Sequence, residues 1–242
     1  MFETGAVTLA APLPRETRPD RVGELQSRIR DMQARRLDTR EIPTHRALAA
    51  VLPGGVLREG TVVQATGSTS LVMALLAGPS AAGRWVAVVG MPAFGAEAAR
   101  RFGIDLSRLV LVPEPGGQWL TVAATLADTV PVVVVRPEGR VSPGEVSRLA
   151  ARIRQRGALL IATGAWPGAD TVLEVTGSRW TGLEAGHGAL VEREVVVRTA
   201  GRGGFGPGGA ARLRLPDAPG GVAEAVETPL APVHRLDERR AG

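Results

Sequence analysis

The residues with the clearest chemical meaning lie in one short turn, at 65–71, between an apolar run and a second apolar run with helical character. The turn contains Gly67 and three consecutive hydroxyl side chains, Ser68, Thr69 and Ser70. A glycine turn that leads from a strand into a helix points backbone N–H groups and the positive end of the helix at an anion such as phosphate. These four residues are therefore the candidate nucleotide-binding residues.

The turn lacks the other parts of a working phosphate-binding loop. The full signature, GxxxxGK[ST], is several residues longer and includes a lysine that reaches the outer phosphates. All 29 Lys and Arg residues of this chain are arginine. An ordinary strand-to-helix turn with Ser68 or Thr69 as the N-cap is the favoured interpretation, and residual anion binding is the alternative. We expect this degenerate site to be inactive.

The carboxylates that magnesium-dependent phosphate chemistry requires are also absent from their expected positions. The β-branched run at 132–135 predicts a buried strand, and Arg136 follows it where an acid would hold the metal ion. Glu138, in a Pro-Gly turn, is a weak substitute. Residues 90–93, after the second strand, contain no carboxylate that could position a water molecule. We predict that the chain is not an enzyme, hydrolyses no ATP and uses no cofactor.

The composition excludes several other kinds of site. The chain has no cysteine, which excludes disulfides, thiolate zinc sites and a cysteine nucleophile. His45, His187 and His234 lie far apart without metal-ligand spacing, so we predict no metal site. We expect His187 to lie in a turn at 184–188. The net charge of +5 is modest for a nucleic-acid binder, and the use of arginine alone is also explained by a GC-rich genome.

Strands and helices alternate through the middle of the chain. The predicted strands are at 61–66, 85–90, 109–112, 130–135 and 158–162, and the predicted helices start near 71, 96, 118 and 142. This alternation predicts a parallel α/β sheet. Three further strands follow without helices between them, at 171–176, 192–199 and 211–215. They predict an antiparallel extension of the sheet.

The two ends differ in character from the middle, and we divide the chain at 1–43, 44–200 and 201–242. The first part contains a basic amphipathic helix at about 19–37, because apolar residues recur there at helical spacing among arginines. The last part is rich in Gly, Arg and Pro and is predicted to be a flexible tail. No apolar stretch is long enough for a membrane span, so we expect a soluble cytoplasmic protein that binds no membrane.

Several stretches resemble RecA over roughly 45–165. They are residues 44–63, 98–109, 118–128 and 132–135, of which 98–109 is the most specific. The resemblance implies a RecA-like, mostly parallel sheet flanked by helices, with antiparallel C-terminal strands. The DNA-binding loops of RecA follow its fourth and fifth core strands, and here the latter is reduced to 163–169. A recombination enzyme is therefore not favoured.

The chain is more similar to ImuA, a branch of RecA-like proteins without the ATPase residues, in its actinobacterial form. Residues 173–180, 195–198 and 201–203 carry this resemblance. It implies an accessory factor of damage-induced (SOS) mutagenesis and translesion synthesis. The implied partner is ImuB, a Y-family polymerase homologue without activity, and through it an error-prone, DnaE-type C-family polymerase.

Alternative functions remain open at this point. The basic helix could dock on an adjacent copy of the chain, as in RecA-like proteins, or it could contact DNA. Trp166 is a candidate interface anchor or base-stacking platform, and Trp180 is expected to fill the core. The candidate partner-binding or DNA-binding residues are Arg28, Arg35, Arg36, Trp166, Arg202, Phe205, Arg212 and Arg214. The alternatives to a scaffold are a DNA-binding module that uses the helix and tail, and a nucleotide switch that takes a lysine from a partner.

Overall fold

A computed structural model describes residues 40–184, 187–201, 209–217 and 221–225. The predicted N-terminal helix, with Arg28, Arg35 and Arg36, lies outside the described residues. So do Arg202 and Phe205 in the glycine-rich loop. No helix among the described residues is long and apolar enough to cross a membrane.

A nine-stranded sheet forms the centre of the fold, in the order β11-β10-β9-β8-β3-β7-β6-β4-β5. The strands from β8 through β3 to the β5 edge are parallel, and β9, β10 and β11 continue the sheet in antiparallel fashion. This confirms the predicted fold class. The sheet strands are β3 (Val62–Thr66), β4 (Val86–Val89), β5 (Leu109–Val112), β6 (Val132–Val135), β7 (Leu159–Ala162), β8 (Thr171–Glu184), β9 (His187–Gly201), β10 (Ala210–Arg214) and β11 (Ala223–Glu224).

Helices cover both faces of the parallel strands, which is why those strands are apolar without alternation. The described α-helices are α1 (Thr69–Ala81), α2 (Ala96–Arg101), α3 (Trp119–Leu126) and α4 (Pro143–Arg156). In β6, Val132 and Val134 face the layer that contains α1, whereas Val133 and Val135 face the layer that contains α3 and α4. All four of these valines are fully buried.

The entry to α4 shows how local sequence sets one helix boundary. Ser142 is the N-cap: its hydroxyl accepts a hydrogen bond from the Glu145 N–H at 3.3 Å, and the Glu145 carboxylate accepts one from the Ser142 N–H at 2.8 Å. This is the predicted capping box. The hydrogen bonds from Ser142 lower the pKa of Glu145.

Replacing Ser142 with Ala should lower the free energy of unfolding by about 1 kcal/mol, because the first turn of α4 loses its side-chain acceptor. Urea denaturation at neutral pH measures the change. Ser147→Ala is the matched control, since Ser147 is exposed within the same helix and alanine favours helix there. Equal stability of the two variants would contradict a capping role for Ser142.

The structure corrects several predicted boundaries. β1 (Glu41–Ile42) lies before the predicted start of the core at 44 and pairs with β2 (Leu57–Arg58), which lies within the predicted core. The sheet also continues past 200, because β10 and β11 belong to it. β8 ends at Glu184 and β9 begins at His187, which pairs with Glu184, so the chain reverses direction within the segment where the turn was predicted.

Candidate functional site

The degenerate turn lies at the carboxyl edge of the parallel strands, where α/β proteins usually bind ligands. β3 ends at Thr66 and α1 begins at Thr69, with Ser68 as the N-cap residue. The Ser68 side chain makes no capping hydrogen bond to the helix, and the first turn of α1 contains no acidic residue. The predicted N-cap position is therefore correct, but the expected side-chain cap is absent.

Gly67 shows that the turn is closed against the neighbouring strand. Its φ of 86° lies in the left-handed region that favours glycine. A Cβ placed on Gly67 would lie 3.0 Å from the carbonyl oxygen of Val175 and 3.2 Å from the Val175 Cβ. The backbone of Gly67 therefore packs directly on Val175 of β8, and the methyl group of an alanine at this position would be crowded.

Arg193 of β9 extends its guanidinium to the same turn. Its Nη1 donates a hydrogen bond to Ser68 Oγ at 3.0 Å. The guanidinium carbon also lies 5.6 Å from the ring centroid of Trp180, the cross-strand neighbour of Arg193, which is cation–π distance. The chain thus places a cation beside the positive end of α1, where an active loop would hold the anionic phosphates.

Arg136 lies at the position predicted from the sequence, immediately after β6 and exposed at the same edge of the sheet. Its N–H donates to the carbonyl of Val89 at 2.9 Å. Gly90 follows β4 beside it with a φ of 77°, and a Cβ on Gly90 would lie 2.6 Å from the Arg136 carbonyl oxygen. The ends of β4 and β6 therefore meet closely, and the side chain presented there is basic.

The two tryptophans exchange their predicted environments. Trp166 is 3% exposed and Trp180 is 44% exposed. The Trp166 ring packs edge-on against Trp119, with 6.5 Å between the ring centroids. The backbone N–H of Trp166 donates a hydrogen bond to Gln64 Oε1 at 2.9 Å. Trp166 therefore belongs to the core and offers no surface for a partner or a base in this conformation, which corrects that prediction. Trp180 is the aromatic side chain that reaches solvent.

Trp180 lies on a two-stranded extension that we call the hairpin arm, residues 177–184 of β8 and 187–193 of β9. The pairing of β8 with β3 ends at Glu174, and the pairing of β9 with β10 begins at Glu194. Among the described residues, the arm therefore has no neighbouring strand on either side. The sequence prediction ended β8 too early, at 176, and began β9 too late, at 192, and therefore missed the arm.

Arg212 and Arg214 lie on β10 and not on a flexible tail. Arg212 Nη1 is 3.5 Å from Glu194 Oε1, and Arg214 Nε is 3.1 Å from Glu192 Oε1. Arg214 Nη1 also lies 3.9 Å from Asp217. These ion pairs join β10 to β9, so both arginines have structural partners that compete with any phosphate.

The other charged cluster of note joins α3 to α4. Asp128 accepts hydrogen bonds from Arg152 and from Arg156, the latter at 3.1 Å. The hydrogen bond from Arg152 is the main cause of a lowered pKa for Asp128. These ion pairs join the end of α3 to α4 at the surface. Across the described segments, no three His, Asp or Glu side chains come together in a metal-binding arrangement.

The structure therefore brings two of the predicted features to one edge of the sheet, the turn at 67–70 and Arg136. It adds Arg193 and Trp180, whose roles the sequence analysis missed. The available signal was the alternation of Arg193, Val195 and Val197, which places Arg193 on the face that carries the buried Val195.

Comparison with known proteins gives relatives for the centre of the chain. Residues 50–168 match the family model described as MT3502 N-terminal domain. The protein is also similar to an uncharacterized protein of Mycobacterium tuberculosis, Rv3395c, at 41% identity over 119 residues. That match covers 48% of this chain and 58% of the relative, so the chain spans little more than half the length of the curated relative.

Among solved structures, the chain is similar to the crystal structure of the RadB recombinase. The TM-score is 0.55 at 16% sequence identity, and the match covers 74% of this chain and 97% of that chain. Identity this low establishes the fold alone. The chain therefore has a RecA- and RadB-like α/β fold.

Proposed function

We propose that this chain is a non-catalytic RecA-like accessory protein of damage-induced translesion synthesis. In this role it binds an ImuB-like Y-family polymerase homologue and, through it, an error-prone DnaE-type polymerase. The RecA-like fold supports the general class, and the resemblance of residues 173–180 and 195–198 to ImuA motivates the specific one.

The observation that carries the proposal is the contact between Arg193 and the degenerate turn. Ser68 Oγ, which lies in the turn where an active site would hold nucleotide and metal, accepts a hydrogen bond from Arg193 at 3.0 Å. The turn thus serves as an anchor for the hairpin arm. A RecA-like fold that keeps this turn but uses it structurally is suited to binding other proteins.

The chemistry at Arg136 supports the non-catalytic part of the proposal. A magnesium ion at the carboxyl edge of the sheet needs carboxylate oxygens, and the residue after β6 is an exposed arginine. The alternative function as a DNA-binding module has less support, because Arg212 and Arg214 are engaged with carboxylates of β9. Trp166, the base-stacking candidate, is buried, and the remaining residues named for that function lie outside the described part of the chain.

Binding to the Y-family homologue encoded by the same genome tests the proposed partnership. We expect the two purified proteins to co-elute from a sizing column and to remain together when the salt concentration is raised from 50 to about 200 mM. Binding to phosphates weakens by orders of magnitude over the same range. Absence of a complex would refute the proposed function, and tight salt-sensitive binding to labelled single-stranded DNA instead would favour the DNA-binding alternative.

ATP turnover should not exceed that of a buffer blank, because the turn has no lysine and no nearby acid holds magnesium. Phosphate release with Mg-ATP measures it, alone and with the partner present, since a partner could supply a lysine. Ser70→Ala is the control for trace contamination. Turnover that the wild type shows and Ser70→Ala lacks would contradict the non-catalytic assignment.

A further inference from the structure

One face of the hairpin arm carries large apolar side chains without cover. Trp180 is 44% exposed and Val191 is 49% exposed. Val191 precedes Arg193 by two residues on β9, and Arg193 stands directly across from Trp180. We call this surface, made of Trp180, Val191 and Arg193, the arm face.

The arm face is held in a defined position. A two-stranded hairpin alone is marginally stable in water. Here Arg193 links it to the N-terminus of α1 through Ser68, and the Arg193 backbone also donates to the carbonyl of Pro216 at 3.2 Å and accepts from the Leu215 N–H at 2.7 Å. Such pre-organisation lowers the ordering cost of binding.

Arg193 lacks an acidic partner in the described part of the chain, whereas Arg212 and Arg214 on the neighbouring strand have them. No carboxylate lies within 4.0 Å of its guanidinium there, and its Nε is buried without a hydrogen-bond acceptor. The guanidinium also lies beside the positive end of α1, which adds to the local positive potential. The arm face therefore favours a ligand that brings a negative charge.

The charges around the arm face identify the class of that ligand. Segments 171–182 and 191–198 contain three acidic residues and three arginines, so their net charge is zero. A groove that follows a nucleic-acid backbone is strongly basic along its length. A surface without net charge, on which an arginine lies beside exposed Trp and Val side chains, has instead the composition of a protein-binding hot spot, in which Trp and Arg are enriched.

We propose that the arm face is the docking surface for the protein partner, which contributes a carboxylate side chain next to a large apolar side chain. The carboxylate pairs with Arg193, and the apolar side chain packs on Trp180 and Val191. This inference rests on the proposed function, because the partner is the same ImuB-like protein. It adds the surface used and the kind of segment that binds there.

The test compares the affinity of single-residue variants for the purified Y-family homologue by isothermal titration calorimetry. Trp180→Ala is expected to weaken binding about 30-fold, and Arg193→Gln about tenfold, since both remove central contacts. Trp85→Ala is the matched control, because Trp85 is 48% exposed. Trp85 lies just before β4, at the amino ends of the parallel strands, away from the carboxyl edge that carries the turn at 67–70. We expect it to bind like the wild type.

The outcomes separate the two proposals. If the wild type binds and Trp180→Ala and Arg193→Gln bind equally well, the arm face is not the docking surface and the proposed function stands. If the wild type does not bind, both proposals fail. Circular dichroism melts of each variant establish that weakened binding is not unfolding. A labelled single-stranded oligonucleotide, bound by wild type and lost in Trp180→Ala, would reassign the surface to nucleic acid.

Discussion

Removal of residues 202–242 is expected to unfold the protein, whereas removal of 226–242 alone should leave the fold intact. The glycine- and arginine-rich composition suggests that all of this segment is dispensable, but it contains β10 and β11. Leu213 and Leu215 are fully buried in the core layer that also contains α1. Deleting one buried leucine side chain costs about 2–5 kcal/mol, and the total stability of a domain is about 5–15 kcal/mol.

Soluble yield and cooperative thermal melting, followed by circular dichroism, measure this difference. Chains ending at Gly201 and at Ala225 form the matched pair. A cooperative melt of the shorter chain at the temperature of the full chain would show that β10 contributes little. For partner binding, the chain ending at Ala225 is a better reagent than the chain ending at Gly201, because it keeps the contacts of Leu215 and Pro216 to Arg193.

Gly78→Ala should lower the free energy of unfolding by about 3 kcal/mol or more. Gly78 lies inside α1, at the place where this helix contacts residues 43–45. A Cβ on Gly78 would lie 2.6 Å from the backbone N of His45, 2.7 Å from the carbonyl oxygen of Pro43 and 2.8 Å from the carbonyl carbon of Thr44. These are backbone atoms, so the clash cannot be relieved by rotating a side chain, and overpacking of this kind costs about 1–3 kcal/mol or more.

Gly144→Ala in α4 is the control for the intrinsic effect of replacing a helical glycine. A Cβ on Gly144 meets nothing within 4 Å, so this variant should be as stable as the wild type or more stable by up to about 1 kcal/mol. Urea denaturation of both variants measures the difference. If Gly78→Ala is as stable as Gly144→Ala, the close approach of α1 to residues 43–45 is not a real constraint.

The local sequence was sufficient to predict features that depend only on residues close together in the chain. The run at 132–135 predicted β6 because four β-branched residues are stable only as a strand covered on both faces. The capping box at Ser142 and Glu145 placed the start of α4 because both hydrogen bonds are made within four residues. The missing lysine and the basic residue after β6 were likewise visible from sequence, since they depend only on residue identity at known positions.

The features that could not be predicted depend on contacts between distant parts of the chain. Trp166 is held in a buried position in which its backbone N–H donates a hydrogen bond to the side chain of Gln64, 102 residues earlier. Arg193 reaches Ser68 across 125 residues. Aromatic side chains suit both a core and an interface, so the type of Trp166 and Trp180 could not decide between the two. Only the pairing of β8 with β9 places one of them on a projecting arm.

Under the proposed function, the contact between Arg193 and Ser68 gives one turn two competing uses. A design that introduces nucleotide chemistry would need a longer turn with a lysine, an acid in place of Arg136, and displacement of Arg193 from Ser68. The last change would also release the hairpin arm from the turn, so phosphate binding and anchoring of the arm exclude each other at this position.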